Sequence, residues 1–256
     1  MPLCRSLLLF CLLLCQPLTA AAASITIAAA SDLKFAMDEV IAAFKQRHPG
    51  DQVEVVYGSS GKFQTQIRLG APYDLYFSAD IAYSRALAEA GLAASPVTPY
   101  AHGRLVLWST RPDSRTLTLA SLADPAIGRI AIANPRHAPY GKRAVEALQA
   151  AGVWSRVEAR LVQGESVSHA AQFVQSGNAQ VGIIALALAL SPELARLGGY
   201  QLIPDSLHAP LEQGFIITRR AAGNALARRF AAHMQADDTR ALMQRYGFVL
   251  PERERR

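Results

Sequence analysis

Short runs of β-branched and apolar residues alternate with segments of helical period along most of the chain, and this alternation is what most restricts the fold. The first run, ITIAAA from Ile25, precedes a segment whose apolar residues recur at the i, i+3, i+4, i+7 spacing of a helix buried along one face. Pro49 and Gly50 end that helix. Alternation of this kind is typical of an α/β fold, and we predict mainly parallel sheets flanked by helices.

The β-α unit repeats in two series without a linker between them. The further strand-like runs are VEVVY and DLYFSA in the first series and RLVLWS, RIAIAN, a strand near Leu161 and VGIIAL in the second. GFIIT then precedes two terminal helices. We therefore predict two lobes, residues 24–103 with 212–256 and residues 104–211, with chain crossings near 102–105 and 210–214. Such a chain closes like a hinge around a ligand.

The first 23 residues have the pattern of a secretory signal peptide. A lone basic residue, Arg5, precedes an apolar run from Leu7 to Leu14, and small residues follow up to Ala23. The apolar run is too short to cross a bilayer, which takes about 20 residues. We expect cleavage near Ala23 and export to the periplasm. The alternative is a lipoprotein anchor on Cys15, but leucines precede this cysteine instead of the small residue that such processing uses.

Composition excludes several classes of function. The three cysteines, Cys4, Cys11 and Cys15, all lie in the leader, so the exported chain has no disulfide, thiolate metal site or cysteine nucleophile. The six histidines form no H-x3-H pair, and we predict no metal site. The net charge of +6 favours attraction of small anions. Nucleic acid is not expected as a partner, because no arginine cluster is interleaved with aromatic residues.

Four strand-to-helix turns share small residues, hydroxyls or glycine. They are AAASD around Ser31, YGSSGK around Ser60, NPRHAPYGK around Tyr140 and GESVSH around Val167. In open α/β sheets ligands bind beyond the carboxyl ends of strands, where the first backbone N–H groups of each helix are free. A tetrahedral oxyanion only accepts hydrogen bonds, so these donors suit it.

Each turn also has an ordinary structural interpretation. Ser31 and Asp32 at a helix start are common N-caps, serines between glycines form turns, and Tyr140 and Val167 are typical packing residues. Only the coincidence of four donor-rich turns favours binding.

Catalysis has less support in the sequence. GSSGK lacks the spacing of a phosphate loop and has Phe63 where Mg²⁺ needs a hydroxyl, and no G-x-S-x-G elbow is present. We predict that the protein is not an enzyme and needs no cofactor.

At these same turns the chain resembles the periplasmic molybdate-binding proteins of ABC importers. The similar segments, in family order, are AAASDL, YGSSGKFQTQI, GAPYDLYFSAD, GRLVLWS, IAIANPRHAPYGKRAVEAL, GESVSHA, VGIIAL and RYGFVLP. The resemblance implies a type II periplasmic-binding fold that holds molybdate or tungstate between its lobes and delivers it to a membrane permease. We expect a monomer. One departure is Ala185, where some members have a tyrosine whose hydroxyl reaches the ligand.

The resemblance also implies the residues of the site. Carried over by position, Ser31 and Ser60 donate from hydroxyl and amide, and the backbone amides of Tyr140 and Val167 complete the shell. Asp32 stands where family members often have an uncharged residue. Because a carboxylate would repel a dianion, we predict that its side chain turns away to cap the helix and that only its backbone amide contributes.

Three alternatives remain open. A sulfate or phosphate receptor of the same fold is the first, and there Asp32 would accept a hydrogen bond from protonated phosphate. The second is an exported α/β hydrolase or transferase, which needs a nucleophile with a base, or a metal, at the strand ends. The third is a regulatory effector domain, which lacks a DNA-binding helix-turn-helix here.

Overall fold

The computed structural model describes residues 23–252, which form two five-stranded sheets flanked by helices. Residues 1–22 and 253–256 lie outside the described residues. The predictions of a leader, its cleavage and the alternative anchor on Cys15 fall on this undescribed N-terminal segment, as do the three cysteines. The strands are β1 (Ser24–Ala30), β2 (Gln52–Gly58), β3 (Leu75–Ser78), β4 (Thr98–Gly103), β5 (Leu105–Ser109), β6 (Ile130–Ala133), β7 (Leu161–Gly164), β8 (Val181–Ala185), β9 (Gly199–Leu202) and β10 (Leu211–Ile217).

The helices follow the strands in alternation over much of the chain. They are α1 (Lys34–Arg47), α2 (Ser60–Arg68), α3 (Ile81–Glu89), α4 (Pro139–Ala150), α5 (Trp154–Val157), α6 (Val167–Gln175), α7 (Leu186–Ala189), α8 (Pro192–Leu197), α9 (Ala225–Met234) and α10 (Asp237–Arg245). Short 3-10 turns add Ser31–Leu33, Ala120–Ala123, Glu158–Arg160, Asp205–Leu207 and Arg219–Ala221. Within the described residues, no helix combines the length and apolarity needed to span a membrane.

The predicted two-lobed α/β fold is confirmed. The first sheet has the order β2-β1-β3-β10-β4 and the second β7-β6-β8-β5-β9. In the first, β1 pairs in parallel with β2 and β3, whereas β10 is antiparallel to β3 and β4. In the second, β6 is parallel to β7 and β8, and β5 is antiparallel to β8 and β9. The sheets are therefore mixed instead of mainly parallel, because β5 and β10 run against their neighbours.

The apolar pattern correctly predicts α1. Its buried residues occupy the predicted face, and the helix ends at Arg47, just before Pro49 and Gly50. These residues are Ala36, Met37, Val40, Ile41 and Phe44. Two strands, β4 and β9, were not predicted. β4 contains Pro99, which cannot donate to a ladder and is therefore tolerated at a sheet edge, and β4 is the edge strand of its sheet.

The two sheets are joined at neighbouring points of the chain. β4 ends at Gly103, only Arg104 intervenes, and β5 then begins the second sheet. The chain returns through β10, whose first residue, Leu211, pairs with Gly103. The exact lobe boundaries at 103/104 and 211/212 stay a prediction.

Strand register places the four donor-rich turns at two facing sheet edges. In the first sheet Ala30 is aligned with Gly58, and in the second Ala133 is aligned with Gly164. Parallel neighbours end at the same edge, so the turns after β1 and β2 lie together, and so do those after β6 and β7. Hydrogen bonds between these pairs of turns, described below, bring the two edges into contact.

Candidate functional site

A small cavity of about 10 Å³ lies where the four turns meet. The first lobe lines it with Ala30, Ser31, Asp32, Gly58, Ser59, Ser60 and Ala79, and the second with Ala138, Pro139, Tyr140 and Val167. All four predicted contact residues, Ser31, Ser60, Tyr140 and Val167, therefore line one cavity. Neither a lysine nor an arginine is among the lining residues.

Two serines present hydroxyls at this cavity. Ser31 follows β1 directly, Ser60 is the first residue of α2, and both are buried. The Ser31 Oγ accepts a hydrogen bond from the Ser168 amide at 3.2 Å, and the Ser60 Oγ accepts one from the Ala79 amide at 3.0 Å. Neither hydroxyl donates to another described residue, so each has its proton available for a ligand.

Two helix N-termini from the second lobe supply backbone donors. Val167 is the first residue of α6 and Tyr140 the second of α4. In α6 the first helical hydrogen bond runs from the Ala170 amide to the Ser166 carbonyl oxygen at 3.0 Å. In α4 it runs from the Lys142 amide to the Ala138 carbonyl oxygen at 3.1 Å. The earlier amides of Tyr140 and Val167 have no partner in their own helix, and the positive end of each helix dipole faces the cavity.

The Asp32 carboxyl links the two lobes. Its Oδ2 accepts hydrogen bonds from the Tyr140 hydroxyl at 3.0 Å and the Gln213 Nε2 at 2.7 Å. Its Oδ1 is buried and has no hydrogen-bond partner. The predicted helix cap is wrong: the turn beginning at Ser31 has no side-chain cap, because donors from α4 and β10 engage the carboxyl instead. Burial raises the pKa of Asp32 to about 6, although the hydrogen bonds from Gln213 and Tyr140 oppose that rise.

Two residues extend this contact into a buried network of Asp32, Tyr140, Gln213 and Tyr100. The Gln213 amide nitrogen also donates to the Tyr140 hydroxyl at 3.2 Å, and its Oε1 accepts from the Tyr100 hydroxyl at 2.7 Å. Neither Gln213 nor Tyr100 was predicted from the sequence. A glutamine inside the apolar strand LEQGFII was the available sign, since a buried amide needs partners.

The buried network leaves no space beside the lobe junction. A Cβ atom on Gly103 would lie 2.1 Å from the Tyr140 hydroxyl oxygen and 2.6 Å from the Gln213 Nε2. Glycine at this position therefore permits the close approach of β4 to both side chains.

A second set of contacts, the outer contact, joins the lobes nearer to solvent through Ser59, Gly61, Lys62, His137 and Glu165. The Gly61 amide donates to the His137 carbonyl oxygen at 2.9 Å, and the Ser59 hydroxyl donates to the same oxygen at 2.6 Å. Lys62 forms an ion pair with Glu165 across the lobes, and both side chains are exposed. Partial burial, with the charges of Lys62 and Arg136, lowers the pKa of His137.

The outer contact resembles a catalytic triad only superficially. The Ser59 Oγ lies 2.8 Å from the His137 Nδ1, and the His137 Nε2 lies 3.9 Å from Glu165. However, the serine proton has the His137 carbonyl as acceptor, and Glu165 is exposed and paired with Lys62. The arrangement does not activate a nucleophile. In the described part of the chain, no group of three or more His, Cys, Asp or Glu side chains could hold a metal ion.

Ala185 marks a position without a side-chain donor. It is the last residue of β8, is fully buried and does not line the cavity. The Tyr140 hydroxyl is engaged by Asp32 and Gln213.

The comparison with known families agrees with this architecture. Residues 25–249 match the family model of the bacterial extracellular solute-binding proteins. The chain belongs to this family. Among the relatives of this solute-binding protein is the molybdate-binding protein ModA of Rhodobacter capsulatus, 33% identical over 234 residues, which are 91% of this chain and 90% of the relative. The molybdate-binding protein ModA of Azotobacter vinelandii is 31% identical, with 90% of this chain and 92% of that protein covered.

Solved structures show the same similarity. The periplasmic molybdate-binding protein of Azotobacter vinelandii superimposes with a TM-score of 0.82 at 31% identity, covering 89% of this chain and 100% of that one. The sulfate-binding protein SubI of Mycobacterium tuberculosis has a TM-score of 0.70 at 19% identity, covering 88% of this chain and 86% of its own, and shares the fold. The three named relatives are binding proteins, two for molybdate and one for sulfate.

Proposed function

We propose that this solute-binding protein captures molybdate or tungstate and delivers the anion to the membrane permease of an ABC importer. The observation that carries the proposal is the convergence of four donor-rich turns on one small cavity without a lysine or arginine in its lining. The molybdate-binding relatives, which cover nine tenths of the chain, support the choice of anion.

In this proposal the donors divide between the lobes. The first lobe supplies the hydroxyls and amides of Ser31 and Ser60, and the second supplies the amides of Tyr140 and Val167. Helix dipoles contribute roughly half a positive charge each, so several N-termini offset a dianion without a buried cation. From Asp32 we propose the backbone amide as a contact; its side chain is considered further below.

The setting of the proposed function is the periplasm. The leader pattern supports export with cleavage near Ala23, and the family of extracellular binding proteins is consistent with it. We propose that the mature protein works as a monomer, without a cofactor and without catalytic activity. Expression of the full chain, followed by N-terminal sequencing of the exported product, tests the cleavage. A product that retains residue 1 would contradict it.

Phosphate is the second candidate ligand, because of one observation. Asp32 lines the cavity and has a buried oxygen without a partner, and a carboxylate there could accept a hydrogen bond from protonated phosphate. Sulfate has no such proton and relies on donors alone, as molybdate does.

Calorimetric titration of the exported protein with molybdate, tungstate, sulfate and phosphate tests the proposal. We expect tight binding of molybdate and tungstate and weak or no binding of the two smaller anions. Tight binding of sulfate or phosphate without binding of molybdate would overturn it. A useful second measurement is metal analysis after molybdate loading and desalting, which should find one molybdenum per protein.

A further inference from the structure

One atom of the cavity wall has no partner in the protein. Asp32 is 1% exposed and lines the cavity, and its Oδ1 is buried without a hydrogen bond. An unpaired buried carboxylate oxygen costs more than an unpaired neutral group, because the charge has lost its water. The other oxygen, Oδ2, already accepts from Tyr140 and Gln213. A proton on this carboxyl therefore belongs on Oδ1.

The neighbours of the Asp32 carboxyl do not neutralise it. Its side-chain partners are the neutral Tyr140 hydroxyl and Gln213 amide, and the backbone amides of Asp32 and Leu33 also oppose the rise of its pKa. The next titratable group is the Tyr100 hydroxyl. Among the described residues, no cation forms a salt bridge with Asp32. Several charged groups on the elements packed around it pair elsewhere: Lys34 with Asp38, Arg143 with Asp80 and Glu146, Arg85 with Glu212, and His169 with the Glu165 amide. Lys142, on the same helix as Tyr140, is exposed to solvent.

A bound dianion would make the charged form of this carboxyl still less favourable. The anion brings two negative charges close to the buried Asp32 carboxyl, and like charges disfavour ionisation. A protonated carboxyl, by contrast, has one O–H donor to offer to an anion that only accepts hydrogen bonds.

We propose that Asp32 takes up a proton on Oδ1 when the anion binds and donates it to the anion as a hydrogen bond. Capture of each anion then removes one proton from solvent, and a rise in pH favours release. The pKa of Asp32, raised to about 6 by burial in the ligand-free protein, is consistent with this role. The inference rests on the proposed function, because it requires a ligand that remains a dianion.

The decisive measurement is proton uptake by the unmodified protein. Molybdate is titrated calorimetrically between pH 6 and 8 in Tris and in HEPES, whose different ionisation heats report the number of protons exchanged. We expect uptake to approach one proton per anion at the upper end of this range. The dissociation constant should rise by up to about tenfold per pH unit, as linkage to one proton requires. Tight binding without proton uptake overturns this inference alone, whereas no binding of molybdate or tungstate at any pH overturns the proposed function as well.

Asp32→Asn gives an independent test. The asparagine amide can donate where Oδ1–H does, and its carbonyl oxygen can accept from Tyr140 and Gln213, so it mimics the protonated acid. We expect this variant to bind molybdate with no proton uptake and with a dissociation constant that is constant from pH 6 to 8. Loss of molybdate binding in a folded Asp32→Asn protein, or proton uptake equal to that of the unmodified protein, overturns the inference.

Two controls complete the design. Asp38→Asn changes an exposed carboxylate on α1, at 48% side-chain exposure, and should leave proton uptake unchanged. If Asp32→Asn does not fold, infrared difference spectra of the unmodified protein answer the same question. Addition of molybdate should produce a protonated carboxyl band, and its absence while molybdate is bound overturns the inference.

Discussion

Asp32 and Glu165 are the carboxyls of two turns that meet at the cavity, and their surroundings differ completely. Asp32 is buried, has only neutral donors around it, and leaves one oxygen unpaired. Glu165 has 59% of its side chain exposed and pairs with Lys62. Water and salt therefore screen the outer charge, whereas the inner carboxyl bears its full desolvation cost. Neutralising Glu165, which has a cationic partner, should thus change the free energy of unfolding little, whereas neutralising Asp32, which has none, should change it most.

The largest expected effect is on the ligand-free protein carrying Asp32→Asn. The folded-state pKa of Asp32 is raised from 3.8 to about 6, so its favourable contribution is complete below pH 3.8 and is lost as pH rises through 6. At pH 7 the loss is at most about 3 kcal/mol, and the neutral asparagine avoids it. We expect Asp32→Asn to be more stable by up to this amount in urea unfolding at pH 7, with the difference declining toward pH 4.

The matched variant at the outer contact is Glu165→Gln. It also neutralises a carboxyl, but at an exposed site, and should change the free energy of unfolding by no more than about 0.5 kcal/mol. Equal effects of Glu165→Gln and Asp32→Asn would show that burial does not distinguish the two carboxyls.

The next effect concerns ligand affinity. Ser31→Ala and Ser60→Ala should each weaken molybdate binding by about 1 to 3 kcal/mol, the usual value of a hydrogen bond to a charged group. Calorimetry measures this directly. Ser176→Ala, an exposed serine at the end of α6, serves as the control and should bind like the unmodified protein. Unchanged affinity in both cavity variants would remove these hydroxyls from the site.

A smaller effect is expected when the buried network loses one donor. Tyr140→Phe leaves Asp32 with Gln213 as its only side-chain donor and should lower the free energy of unfolding by about 1 to 2 kcal/mol. Tyr83→Phe is the matched control, because the Tyr83 hydroxyl has no hydrogen bond to another described residue. Similar unfolding curves for the two variants would mean that the Tyr140 hydroxyl does not stabilise the interlobe contact.

The smallest effect belongs to the outer ion pair. Lys62→Gln should cost less than about 1 kcal/mol of stability at low salt, because exposed pairs of this kind gain little. The difference should vanish in about 1 M salt, where screening acts within a few ångströms. A loss that persists at high salt would contradict the comparison with Asp32.

The sequence predicted which turns line the cavity, because local rules apply to them. A hydroxyl or glycine at the start of a helix, directly after a strand, places Ser31, Ser60, Tyr140 and Val167 at the cavity, and sheet register brings their turns together. These are short-range rules combined with one topological rule, and both can be read from the pattern of a single chain.

The buried network was not predictable in the same way. Gln213 reaches Asp32 from β10, and Tyr100 reaches Gln213 from β4, two strands beside the lobe junction. No local spacing relates residue 213 to residue 32. The prediction that Asp32 caps its helix was based only on the residues of its own turn. The donors that engage its carboxyl, Tyr140 and Gln213, come from distant parts of the chain. β4 was not predicted because a proline argues against a strand, although Pro99 is tolerated in this edge strand.

The small size of the cavity implies that the groups that would hold an anion differ from the contacts that would control its release. A space of about 10 Å³ has room for about one water molecule, so under the proposed function the turns on the two sides must move apart to admit or release the anion. The bonds from Ser59 and Gly61 to His137 join the two sides, so such a movement would have to break them, although neither involves the cavity-lining donors of the second lobe. Under the proposed function, residence time would depend on this movement of the lobes and selectivity on the cavity wall, so that mutation could change each property without the other.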